Sequence, residues 1–177
     1  RDDDEDAHRM EVAKLAWLSR TSQKSGVKAF ENYAEQSKDT LVAQGLIMVA
    51  DRSGEEQIKD VLSRKLILED EKGLQNSATL EAAGGFAPTF GILGAVLGLI
   101  SVLRVLDRPD ALGAGIATAF VATIYGLSLA NLFCFPLAAR LRSRHETHMK
   151  RREEIVSVIL SLGSNEPTLA IINQFNL

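Results

Sequence analysis

"GGFAPTFGILGAVLGLI", Gly84 to Ile100, decides the fold. It carries no charge, one proline (Pro88) and one hydroxyl (Thr89), in a chain of 177 residues of which 24% are charged. The uncharged run extends from Ala82 to Leu103, and a second reaches from Ala111 to Ala139. A helix of about 20 apolar residues crosses a hydrocarbon core of ~30 Å. A soluble core helix of about 10–14 residues does not need such length. Neither run is N-terminal, which excludes a signal peptide. The sequence therefore predicts an all-α integral membrane protein: a transmembrane helix hairpin with a helical water-soluble portion.

Basic residues set the expected orientation. Arg140, Arg142, Arg144, Lys150, Arg151 and Arg152 follow the second run, whereas Arg104, Asp107, Arg108 and Asp110 balance between the runs. The positive-inside rule puts the C-terminal tail in the cytoplasm. Two crossings return the chain to the side it left. The expected division is a cytoplasmic helical domain over 1–81, membrane helices over 82–105 and 116–139, a periplasmic loop over 106–115, and cytoplasmic C-terminal helices over 140–177. In that loop, "RVLDRPDALG", Pro109 and the glycine suit a turn. A net charge of -3 gives no general affinity for nucleic acid.

The soluble part reads as helix. Met10, Ala13, Leu15, Trp17 and Leu18 give the apolar positions of Asp6–Ser19. Val27, Phe30, Tyr33 and Ala34 form a second stripe, and Leu41, Val42, Leu46, Ile47 and Val49 a third. "DRSG" at Asp51–Gly54 breaks the pattern. A helix then opens with Ser53 as cap, Glu55 and Glu56 in its first turn, and Ile58, Val61, Leu62 and Leu66 on its apolar face. It extends toward the membrane, with Gly73 as a weak point. Arg144–Leu162 forms a helix ended by Gly163 and Pro167, and "TLAIINQF" a short last one. "DDDED" at the start reads as a frayed or solvated acidic end.

Within the spans the pattern is one of small residues. Gly91, Gly94 and Gly98 share a helix face, with Ala95 beside it, and Ala119, Ala122, Gly126 and Ala130 make a matching stripe. Small residues let helix backbones approach closely in lipid, within one chain or between copies. Pro88 and Pro136 are expected near the same cytoplasmic end, at similar depth, as simple helix features or as hinges. Thr118 and Thr123 either bond back to their own helix or, for Thr123, line a polar path at the depth of Ala95. Neither uncharged run, Ala82–Leu103 or Ala111–Ala139, holds Asp, Glu, Lys, Arg or His. Ion relays in membranes usually need an ionisable group, so a titrating carboxylate would have to come from a partner chain. His8, His145 and His148 are scattered over charged segments and read as surface residues without a metal site. Cys134 reads as a buried free thiol. No nucleophile, base or metal cluster converges, so an enzyme is not expected, nor a cofactor.

"GGFAPTFGILGAVLGLISVL" followed by "LGAGIATAFVATIYGLSLANLFCFPLA" resembles the flagellar stator A subunits of the MotA/TolQ/ExbB ion-channel family, as does "LVAQGLIMVADRSGEEQIKDVL" before them. The resemblance covers nearly the whole chain. It implies a ring of identical subunits, a pentamer, in the bacterial inner membrane around a pair of MotB-like B subunits that carry the ion-binding aspartate. Ion flow would turn the ring against a rotor switch protein (FliG-like). By position, Pro88 and Pro136 match two prolines that couple ion flow to the cytoplasmic domain, and Thr123 matches a pathway threonine. Ala95 stands where sodium-driven relatives often carry threonine. Without that oxygen a dehydrated sodium ion lacks a ligand, so protons are the expected ion. Aligning on Gly26 gives Glu31 as the acidic rotor contact. The basic position falls on Gln23, a departure, with Lys24 and Arg20 beside it.

Relatives of this type have two further membrane helices before the cytoplasmic segment. This chain begins within that segment, at Arg1. The expectation is that an N-terminal portion is absent from the sequence, with a natural two-helix version as the alternative. Other readings are an energiser of gliding or of TolQ/ExbB-type outer-membrane transport, and a non-conducting membrane scaffold. The order of segments favours the flagellar stator.

Overall fold

The computed structural model describes residues 2–104, 107, 109–164 and 166–174. Arg108 of the expected loop and Phe175 of "TLAIINQF" lie outside the described residues. Among the described residues every regular element is helical: α1 Asp2–Ser25, α2 Lys28–Gln36, α3 Thr40–Ala50, α4 Glu55–Leu103, α5 Pro109–Ser128, a π-helical turn at Leu129–Cys134, α6 Phe135–Gly163 and α7 Thr168–Gln174. The chain forms two compact units, Arg1–Asp70 with Glu146–Leu177, and Glu71–His145.

The first unit is a helical bundle with an aliphatic core. Val12, Leu15 and Ala16 of α1, Phe30 of α2, Leu41, Val42 and Leu46 of α3, Ile58 and Leu62 of α4, Val158 and Ile159 of α6 and Ile171 of α7 are buried together. The helix corners follow from local chemistry. Gly26, at φ +67°, takes the left-handed conformation that ends α1. Asp39 caps α3, its Oδ1 accepting from the Leu41 amide at 2.8 Å. The same helix ends in a Schellman motif, with Arg52 left-handed (φ 54°), Ser53 N–H donating to Met48 C=O and Arg52 N–H to Val49 C=O. Ser53 thus closes α3 and does not cap α4. Gly54 stands before α4, its carbonyl accepting from Ile58. α1 starts at Asp2, so the acidic run, expected to be frayed or solvated, belongs to a helix, and its Glu5 and Asp6 are exposed. Of the apolar positions read in α1, Leu15 and Leu18 are buried. Val12 and Ala16 are inside, while Met10 and Trp17 are 59% and 60% exposed. With Ala13 and Tyr33 these two line an open apolar groove.

The second unit is built from the long helices. α4 is one unbroken helix through Gly73 and Pro88. Pro88 therefore sits deep inside a 49-residue helix. The chain from Leu112 to Gly163 is likewise helical throughout. The most apolar windows of these two helices are only 17% and 11% buried, whereas a soluble core helix would be mostly covered. Phe86, Phe90, Leu93, Leu97, Phe120, Ile124, Leu132 and Phe133 are all more than half exposed. Such a surface needs lipid or partner helices around it. This is the integral membrane helix hairpin that the apolar runs predict.

Candidate functional site

Glycines set the seam of the hairpin. A Cβ on Gly126 would lie 2.7 Å from the Ala87 carbonyl oxygen and 2.9 Å from Gly91 Cα. A Cβ on Gly91 would lie 3.0 Å from the Ala122 carbonyl oxygen and 3.3 Å from Thr123 Cα. The two backbones touch here with no side chain between them. Close approach of this kind in lipid draws on dispersion and on Cα–H···O contacts, since no hydrophobic drive separates protein from lipid tails. The antiparallel register continues both ways. Gly94 meets the Ala122 methyl, Gly98 meets Ala119, and Gly115 meets Val102 toward the α4–α5 connection. In the other direction Gly84 meets Cys134 and Phe135, and Gly73 meets the His145 ring. Ala130 is fully buried in the π-helical turn.

This register places the remaining residues singled out above. Ala95 and Thr123 fall on neighbouring levels of the seam, both half-buried. Thr123 Oγ1 donates to Ala119 C=O at 3.4 Å, against 2.9 Å for the same bond from Thr118 to Ala114. The Thr123 bond exceeds the usual hydroxyl range, so its hydroxyl is only loosely held by its own helix. Pro88 falls level with Leu129, and Pro136 level with Glu81. The two prolines are therefore about 10 Å apart along the helix axes, not at similar depth.

Each proline leaves a carbonyl four residues back without its helical donor, that of Gly84 for Pro88 and that of Leu132 for Pro136. The second helix widens where this occurs. Phe135 N–H donates five residues back to Ala130 C=O, and the Asn131 side-chain amide donates to Leu127 C=O at 2.9 Å. A π turn adds a residue to the coil and moves the backbone clear of the proline ring. Sequence reading finds Pro136 but not this turn, for which no residue pattern is diagnostic.

On the first unit, Arg20 and Lys24 lie exposed near the end of α1, and Glu31 lies exposed in the first turn of α2, either side of the Gly26 corner. Two clusters there escape sequence reading. His8, with its side chain only 11% exposed, bonds Glu154 at 2.6 Å. Arg152 joins Asp39 and Glu69, its Nε and Nη2 donating to Glu69 Oε2 at 3.2 and 3.1 Å and its Nη1 to Asp39 Oδ2. Burial pushes the Asp39 carboxyl up, but the hydrogen bond from Arg152, the Leu41 amide and the Arg152 charge outweigh it and hold the group below its ordinary value. Burial likewise pulls the guanidinium down, and Asp39 and Glu69 more than offset it. No group of three potential metal ligands occurs among the described residues.

A glycine-seamed membrane hairpin with a proline in each arm and no charge in its apolar runs defines a class of membrane protein, and the chain's family can be assigned. It belongs to the MotA/TolQ/ExbB proton channel family, whose model matches residues 33–154. It is 33% identical over 141 residues to "Motility protein A" of Bacillus subtilis, a match covering 80% of this chain and 52% of that one. The fold is similar to that in the flagellar MotAB stator complex from Bacillus subtilis, with a TM-score of 0.84, 28% identity, and coverage of 94% of this chain and 65% of that one. It is also similar in fold to C. jejuni MotAB, with a TM-score of 0.88, 24% identity and coverage of 96% and 67%. The chain spans about half the length of the Bacillus protein.

Proposed function

We propose that this chain is part of a stator A subunit of the bacterial flagellar motor, which with a B-type partner passes ions across the inner membrane and converts their flow into torque on the rotor. One observation carries the reading: two packed membrane helices offer a hydroxyl, Thr123, at the level of Ala95, yet their apolar runs hold no Asp, Glu, Lys, Arg or His. The group that binds and releases the ion then belongs to a second chain, the MotB-like subunit, through a membrane aspartate. The motility names of the relatives and the stator complexes of similar fold favour the flagellar machine over other envelope energisers. The exposed apolar surface of the hairpin suits both lipid and neighbouring copies in a ring, a pentamer by family precedent. The basic cluster after Pro136 orients both ends of this chain to the cytoplasm. Ala95, which offers no oxygen to a dehydrated cation, favours protons over sodium. In that arrangement Pro88 and Pro136 couple the ion path to the cytoplasmic helices, and Arg20, Lys24 and Glu31 face the rotor switch protein.

Ion uptake into vesicles tests the reading. The full-length protein with its partner should conduct. The protein alone, or with the partner's aspartate changed to asparagine, should not. Uptake by the protein alone would contradict a pathway completed in trans.

A further inference from the structure

Arg152 is the one buried charged residue among the described residues. Its position is unusual in the fold. It lies on α6, its partner Glu69 lies on α4, and its partner Asp39 caps α3. Helices α4 and α6 are the two elements that run without a break from the membrane hairpin into the helical bundle. Helix α3 packs on α2, and α2 on α1, the pair whose corner carries Arg20, Lys24 and Glu31.

A buried ion pair is a poor device for stability alone, because apolar residues of the same volume often serve as well or better. What charge adds here is direction. The planar guanidinium offers donors on several edges, which lets one side chain hold two carboxylates at fixed angles. One carboxylate oxygen of Asp39 is committed to Arg152 while the other holds the first turn of α3. A displacement of α6 against α4 therefore pulls on a helix cap.

We propose that Arg152 is a positioning residue that carries movement of the two long helices, through Asp39, to the α1–α2 corner. The inference rests on the stator reading above. In cells with the full-length protein and its B-type partner, wild type, Arg152→Met, Arg152→Lys and Asp39→Asn are compared for complexes recruited to the motor, ion uptake and stall torque. Asparagine keeps the cap of α3 and removes the charge. Asp39→Asn and Arg152→Met should assemble and take up ions as wild type does, with stall torque reduced severalfold, and Arg152→Lys should recover part of it. Unchanged torque in both variants, or torque and uptake falling in proportion, overturns the proposal and leaves a structural tie. Should Arg152→Met fail to assemble, Asp39→Asn decides between the same two results. A wild-type complex that conducts without turning a rotor defeats the stator reading, and this inference with it, before any variant is compared.

Discussion

Gly126→Ala is the sharpest test of the seam. The added methyl would stand 2.7 Å from a carbonyl oxygen and 2.9 and 3.1 Å from backbone atoms of Gly91, where ordinary contact begins at 3.4 Å. None of these atoms belongs to a side chain that can swing away. The helices must part by about 0.7 Å at this level, and overpacking of this kind costs roughly 1–3 kcal/mol. Separation also loosens the neighbouring levels, because contact energy falls steeply with small gaps. Gly85→Ala is the matched control. Its Cβ meets nothing within 4 Å, and replacing a helical glycine by alanine gains about 1 kcal/mol in propensity. Thermal denaturation of the full-length protein in detergent should place Gly126→Ala below wild type and Gly85→Ala at or above it. Equal stability of the two variants would refute the backbone-to-backbone seam.

Three further outcomes follow from particular contacts. Gly73→Ala puts a methyl 2.0 Å from the His145 ring, which must swing aside; His145→Ala removes that clash, so Gly73→Ala should be more favourable in the His145→Ala background than in wild type in a double-mutant cycle of thermal stability. Asp39 has its folded value held below the ordinary 3.8, so its contribution is complete above that value and lost as pH falls through the lowered one. The stability advantage of wild type over Asp39→Asn should be intact at neutral pH and at about pH 4, and vanish in stronger acid. Pro136→Ala restores a backbone donor and should impair torque while leaving the complex assembled, read as rotation speed against the number of complexes at the motor; loss of assembly would make the proline merely structural.

The membrane hairpin was legible because its signals are local and periodic. Charge-free length marks the spans, and a glycine every three or four residues marks the face that meets its neighbour. The continuity of α4 was not legible. Gly73 and Pro88 carry the propensities of breakers, but a helix inside a membrane has nowhere else to satisfy its backbone, and Gly73 is occupied by His145. The core face of α1 is only partly legible, for a different reason. Trp17 and Met10 are the most conspicuous apolar side chains there, yet the bundle admits the smaller Val12 and Ala16. Arg152 was read only as one of a run of basic residues, because its partners stand 113 and 83 residues away in the chain. The π turn lies beyond periodicity altogether, since it is the local answer of a helix to a proline and not a pattern of residues.

Rotation of tethered cells tests whether ion flow through this protein and its partner becomes torque. Cells would carry the complete gene and that of the B partner, with sodium removed at constant pH and a protonophore applied separately. Rotation should survive sodium removal and stop with the protonophore. Rotation that requires sodium would keep the stator and defeat the argument from Ala95. Absence of rotation under every condition, with the complex assembled in the membrane, would contradict the account.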